Sequence, residues 1–309
     1  MLPPVQPTCM EVGRDAVYGS RMTFSIVAWD PAASGGTEWG VAVASKFLAA
    51  GSVVPWARAG AGAVATQALA NVAYGPEGLT LLDSGMSAHE VIDTLAATDE
   101  GYDHRQVGVI DQRGLAATFT GSQCLDWAGG RTGPGFACQG NILVGAQVLD
   151  AMASTFEASE ADLSTRLLDA LLAGDRAGGD SRGRQSAGVL VVREGGGYLG
   201  DSDVAVDLRV DDHTDPVPEL QRLLSLHRFL FPEAAELVFI DMDEANVFEV
   251  RSSLAGLGYD AGSGGVYDDS LRKALFEFVG SENLEARWTD ERAIEQGVLV
   301  ALRTVSEGS

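Results

Sequence analysis

Met22-Thr-Phe-Ser-Ile-Val-Ala-Trp-Asp-Pro31, followed by Trp39-Gly-Val-Ala-Val-Ala-Ser-Lys46, is the stretch that decides the fold. Thr23 to Trp29 is rich in β-branched and aromatic residues and reads as a strand. Asp30 to Thr37 contains Pro31, Gly35 and Gly36 and reads as a turn, and Trp39 to Ser45 reads as the returning strand. The structured region therefore opens on a hairpin. Residues 1–21 mix Pro3, Pro4 and Pro7 with polar residues and show no periodicity, so they are expected to be a disordered or mis-assigned extension.

Downstream, Gly60 to Gln67 is a further strand of small residues, and Glu77 to Ser84 is helical after the break at Gly75-Pro76. Ser87 and Glu90 form a capping-box pair ahead of the apolar stripe Val91, Ile92 and Leu95. Gln106 to Ile110 and Leu115 to Thr120 make a second hairpin. Asn141 to Phe156 and Asp162 to Leu172 read as helices, and Gly188 to Arg193 and Val204 to Val210 as strands. Hairpins alternating with helix pairs suit antiparallel sheet with helices in separate layers, an α+β arrangement, better than a doubly wound nucleotide fold. Asp215 and Pro216 then open a helix with Leu220, Leu223, Leu224, His227 and Leu230 at helical spacing, which either closes the domain or mediates a homo-oligomer. Past Pro232, Leu237 to Ile240 reads as a short strand or linker. Three helices around 250–257, 271–279 and 292–302 make a small module expected to be all-α, so the boundaries are 22–231 and 232–309.

Forty-four acids against 21 bases, of which only Lys46 and Lys273 are lysines, disfavour nucleic acid, because nothing here neutralises a phosphate backbone. No apolar run is long enough to span a membrane and residues 1–21 lack a signal-peptide pattern, so a cytoplasmic address is expected. Cys9, Cys124 and Cys138 have neither metal spacing nor an even count and read as structural thiols. Asp211, Asp212 and His213 point in different directions and read as a helix-entry turn. His89 and His104 have no partner in sequence, so no Ser-His-Asp set is argued, and neither a metal nor a cofactor is expected.

The front hairpin carries the sharpest chemical idea. A Thr at a chain's N-terminus supplies both a hydroxyl nucleophile and, through its α-amine of pKa about 8, the base. Met22 is then the expected start, trimmed to leave Thr23. Ser25, two residues on and on the same strand face, is the second candidate, and Lys46 is the nearest cation able to lower the nucleophile's pKa. Asn141, Gln139 and backbone amides near Gly140 and Gly121 are candidate oxyanion donors. Gly174 to Ser186 places Asp180, Arg182 and Arg184 in a glycine-rich loop suited to gripping a substrate carboxylate through an arginine fork. The loop is not a P-loop, because Arg184-Gln185 stands where Lys-Ser/Thr is needed.

The opening hairpin resembles that of the domain of unknown function 1028 family. The likeness continues through Val53-Val-Pro-Trp56, Gly62-Ala-Val-Ala-Thr-Gln67, Arg105-Gln106, Phe119-Thr-Gly121, Trp127-Ala-Gly129, Gln139-Gly-Asn141, Gly178-Gly-Asp-Ser-Arg-Gly-Arg-Gln-Ser186 and Val204 to His213. That family is similar to the N-terminal-nucleophile hydrolases, so the resemblance implies a four-layer αββα sandwich with the nucleophile on a strand at its mouth. It also implies an amidohydrolase acting on a small amide or peptide-like substrate, or a non-catalytic protein that keeps the fold and binds ligands. Proteasome-like sites carry a carboxylate in the returning strand, and here Ala44 occupies that place, with Asp30 and Asp180 as distant substitutes. In the tail, Val247 to Leu257, Gly258-Tyr-Asp260 and Leu271 to Phe278 resemble a peptidoglycan-binding module, which implies peptidoglycan fragments as partners.

Overall fold

A computed structural model describes residues 23–233 and 236–308. The expectations for residues 1–22, including Met22 as the start, lie outside the described residues. The chain divides after Gln221 into two compact units.

In the first unit, β1 (Thr23–Asp30) and β2 (Glu38–Ser45) form the predicted hairpin, with Trp29 opposite Trp39 and Phe24 opposite Ala44. β3 (Pro55–Arg58) and β4 (Gly62–Ala68) follow, then α1 (Tyr74–Asp83) and α2 (Ala88–Ala97), whose Ser87–Glu90 capping box is present. Next come β5 (Arg105–Asp111), β6 (Ala116–Thr120), β7 (Gly129–Gly133) and β8 (Phe136–Asn141). After these the chain forms α3 (Gln147–Ala158), α4 (Leu163–Arg176), β9 (Ser186–Val192) and β10 (Val204–Val210). All ladders are antiparallel. One sheet has the order β10-β9-β2-β1-β8-β7 and the other β3-β4-β5-β6.

The period-2 alternation of the strands sorts their side chains between two environments. Val27, Val41, Val43 and Ala137 of the larger sheet meet Ala63, Ala65 and Ile110 of the smaller one in a buried layer between the sheets. The opposite faces carry helices. Val64, Val107, Val109 and Ala117 pack with Leu79, Leu82, Val91 and Leu95 of α1 and α2, each large side chain contributing about 1.5–3 kcal/mol on full burial. On the larger sheet, Phe136 packs against Phe156 of α3 with tilted rings whose centroids are 5.0 Å apart. Gly40 lets α4 lie close, since a Cβ there would come within 2.6 Å of Leu167.

The helix expected over Asn141–Phe156 begins only at Gln147. Asn141 ends β8 instead, and Ile142, with a left-handed φ of 50°, breaks strand and helix alike. β3, β7 and β8 were not read from the sequence. They are short or glycine-rich, and their pairing is set by the neighbouring strands rather than by local preference.

α5 (Pro216–Leu230) spans the division between the units. Val217, Leu220 and Leu224 are buried within the single chain, while Leu223, His227 and Leu230 of the same stripe are only partly buried.

The second unit contains β11 (Phe239–Asp241), α6 (Glu244–Gly256), α7 (Asp269–Ser281), β12 (Ala293–Glu295) and α8 (Gln296–Gly308) around Val247, Val250, Leu254, Leu271, Leu275, Phe278 and Leu302. It is helical but not all-α, because β11 and β12 pair through Ile240 and Ile294. That ribbon takes residues 293–295 out of the helix expected from residue 292. Buried Arg251 of α6 ties down the following loop, donating to the carbonyls of Ala261 and Val266 and to Asp268.

Candidate functional site

The layer between the sheets is apolar along most of its length and turns polar at one end. The same alternating positions that supply Val27, Val43, Ala65 and Ala137 continue as Ser25 and Thr23 on β1, Ser45 on β2, Gln67 on β4, and Gln139 and Asn141 on β8. Gln106 and Thr120 join them from β5 and β6, where they face each other in the ladder. Six strands thus bring their polar residues to one place.

Thr23 is the first residue of β1, pairs with Asn141, and is 4% exposed. Its Oγ1 lies 3.2 Å from Ser45 Oγ, and either hydroxyl can donate. Ser25 lies deeper. Its hydroxyl donates to Gln67 Oε1 at 2.6 Å and accepts from Gln139 Nε2 at 2.6 Å, so amides hold it on both sides and neither is a base. Gln67 Nε2 donates to Gln106 Oε1 at 2.8 Å and to the Thr23 carbonyl at 3.2 Å. Asn141 Nδ2 also donates to Gln106 Oε1, at 2.9 Å, while Gln106 Nε2 donates to Thr120 Oγ1 and to the carbonyls of Gly129 and Gly140.

Every member of this network is neutral, which avoids the desolvation cost that ionised groups would incur at such depth. Gln139 Oε1 is buried without a hydrogen-bond partner. It rests against Gly108, where a Cβ would sit 2.2 Å from it, so glycine is required there to let the amide reach across from β8.

Around this end runs a ring of charge. Asp180, bridged to Leu143 and 7% exposed, accepts the Lys46 backbone N–H at 2.7 Å and the Arg182 N–H at 2.9 Å. The Arg182 guanidinium folds back onto the same carboxylate, at 3.3 and 3.4 Å. Arg184 bridges Asp175 at 2.7 Å and Asp215 at 3.0 Å. Both forks expected for a substrate carboxylate are thus turned onto the chain's own carboxylates. The Lys46 ammonium donates to the Arg184 carbonyl at 3.1 Å. His213 accepts the Asp215 N–H at 3.0 Å, shaping the entry to α5. Asp30 lies at the far end of β1, about 23 Å from Thr23 at a strand rise of about 3.3 Å per residue, and pairs with Arg166 at 3.6 Å.

Among the residues singled out in the sequence, Thr23, Ser25, Gln139 and Asn141 come together at this end, with Lys46, Asp180, Arg182 and Arg184 in the ring. Ser45, Gln67, Gln106 and Thr120 were missed as site residues. Their signal was a polar residue at the inward parity at one end of a strand, closing it in Ala-Val-Ala-Thr-Gln67 and opening it in Gln106-Val-Gly-Val-Ile110.

Residues 23–220 match the "Family of unknown function (DUF1028)", and residues 230–302 match the "Putative peptidoglycan binding domain". A crystal structure of a DUF1028 protein from Silicibacter pomeroyi is similar to this chain with a TM-score of 0.60 and 34% identity, over 67% of this chain and 86% of that one. No curated protein matches. Among the described residues no helix is long and apolar enough to cross a membrane. With a family match over most of its length and a homologous structure at this identity, the chain belongs to the DUF1028 family, and a peptidoglycan-binding-like domain follows.

Proposed function

We propose that the chain is an N-terminal-nucleophile amidohydrolase of the four-layer αββα sandwich type, acting on a small amide or peptide-like substrate with Thr23 as nucleophile. The observation that carries this reading is the Thr23 hydroxyl at the first position of β1, beside Ser45, where the layer between the sheets turns polar. With Thr23 at the chain's N-terminus, its α-amine takes the hydroxyl proton as Oγ1 attacks the substrate's carbonyl carbon. That proton passes to the leaving nitrogen as the C–N bond breaks, leaving an ester on Thr23. Water then attacks the ester, gives its proton to the amine, and the Thr23 oxygen regains a proton as the carboxylic acid leaves. Asn141 Nδ2 has one hydrogen on Gln106, and its second is the donor assigned to the oxyanion. Ser25, fully buried between two amides, serves here to hold β1 in place rather than to attack.

The test is the intact mass and N-terminal sequence of the protein from its own source, with amide hydrolysis measured for the parent and Thr23→Ala. A chain beginning at Thr23, with hydrolysis lost in the variant, is the expected result. A chain retaining residues 1–22 leaves Thr23 without a free amine and sinks the mechanism.

A second reading rests on the family match at residues 230–302: the full chain binds peptidoglycan fragments without cleaving them. Calorimetric titration of the intact protein with a muropeptide is expected to show saturable binding and no release of product; absence of binding removes this reading.

A further inference from the structure

We propose that Asp180 and Ser45 are positioning residues for the Thr23 nucleophile, an inference that rests on the Thr23 reading above. The resemblance places a carboxylate on the returning strand, but Ala44 is a buried methyl group between Phe24 and Ala187 in the ladders. The carboxylate comes instead from the loop before β9. Ser45 is the last residue of β2 with a ladder partner, Ser186, and its carbonyl accepts the Gln185 N–H at 3.1 Å. The next N–H, that of Lys46, leaves the ladder, and Asp180 Oδ2 takes it at 2.7 Å. A charge-assisted bond of this kind is about twice as strong as a neutral one.

Asp180 is in turn fixed by the bridge to Leu143, by the Arg182 N–H and by the Arg182 guanidinium. The Ser45–Lys46 peptide is therefore held from both sides. The Ser45 side chain, 2% exposed for the whole residue, keeps its hydroxyl 3.2 Å from Thr23 Oγ1. Whichever hydroxyl donates, the pair fixes the place of Thr23 Oγ1 relative to the end of β2, and with it the line along which that oxygen meets a substrate carbonyl. Neither Ser45 nor Asp180 takes the reacting proton, so their loss slows attack without moving the pH at which the α-amine titrates.

The experiment uses the full-length protein and a β-lactone probe. Thr23 Oγ1 forms an ester with the lactone carbonyl carbon, the ring C–O bond breaks, and the ring oxygen leaves as a hydroxyl carrying the proton lost by Thr23. Peptide mapping locates the adduct and intact mass gives its rate across pH. The parent is expected to be labelled at Thr23. Ser45→Ala and Asp180→Ala are expected to be labelled about tenfold or more slowly, equivalent to about 1.4 kcal/mol in the barrier, with the pH midpoint unchanged. Asp180→Asn retains an acceptor for the Lys46 N–H and is expected to recover most of the rate. Parent-like labelling of Ser45→Ala, or a shifted pH midpoint, overturns the inference and leaves the Thr23 reading intact. A parent that takes no label at Thr23 overturns both. Should Asp180→Ala fail to fold, Ser45→Ala and Asp180→Asn decide the matter.

Discussion

Replacing Gln67 with Leu removes one of the two glutamines of the smaller sheet, Gln67 and Gln106, whose hydrogen bonds cross to the larger sheet at the polar end. The leucine fills similar space but leaves the Ser25 hydroxyl without its acceptor and the Thr23 carbonyl without the Gln67 donor, while Gln106 Oε1 keeps its bond from Asn141. Each newly unpaired buried group costs about 1–3 kcal/mol, so a loss of about 2–6 kcal/mol is expected from a domain whose total stability is of order 5–15 kcal/mol. Ser25→Ala by itself orphans Gln67 Oε1 and the Gln139 amide. In the double variant Gln67→Leu/Ser25→Ala the Ser25 hydroxyl and Gln67 Oε1 are both gone, so the losses must be less than additive, with a coupling of about 1–2 kcal/mol. Urea unfolding followed by tryptophan fluorescence is the assay, because Trp29, Trp39, Trp56 and Trp127 report the first unit and only Trp288 the second. Additive losses, or a Gln67→Leu loss under about 0.5 kcal/mol, would refute the network as a determinant of stability.

Three further outcomes are expected. The Arg105 guanidinium, with help from the Gly101 N–H and the Asn71 amide, holds the Asp99 carboxyl far below the usual carboxylate range. Its stabilisation is therefore present above the unfolded value of about 3.9 and fades as pH falls below it. Asp99→Asn should lower the urea midpoint at neutral pH, and the gap to the parent should narrow in acid; an unchanged gap contradicts the pairing. Burial pushes the Cys138 thiol up to about 12, leaving roughly one thiolate in 100,000 at pH 7, so peptide mapping should find it unalkylated by iodoacetamide until the protein unfolds. Arg251→Leu strands the buried Ala261 carbonyl at about 1–3 kcal/mol and releases the carbonyl of exposed Val266 to water. Limited proteolysis should then cut residues 257–268 faster, while the first unit melts as in the parent.

The opening hairpin, the capping box at Ser87 and the helices after Asp162 and Asp215 were legible because local signals set them: alternation, a cap, a proline at the first turn. β7 and β8 were not. Gly129-Gly-Arg-Thr-Gly133 has no strand signature of its own, and Ile142-Leu-Val144 continues Asn141 in a way that imitates the start of a helix. The second unit was legible as helices but not as a unit containing a ribbon, because three-residue strands carry too little pattern to announce themselves.

For the candidate site, Thr23, Ser25, Gln139 and Asn141 stood out as polar residues at strand ends. The partners they choose are a matter of register, which depends on how strands distant in sequence align. Gln67, Gln106 and Gln139 are 39 and 33 residues apart along the chain and meet only because two sheets face each other with matched parity. Charge shows the same division. Composition announced a strongly acidic chain that avoids nucleic acid, but whether Arg182 and Arg184 grip a ligand or the chain's own Asp175, Asp180 and Asp215 was open until the loop before β9 was placed. The sequence by itself determined strand faces, helix caps and the family, because those follow from residues within a few positions of one another. The convergence of neutral amides beneath Thr23, and the Asp180 carboxylate at the end of β2, were decided by tertiary structure, since hydrogen bonds between sheets form only after the sheets have packed.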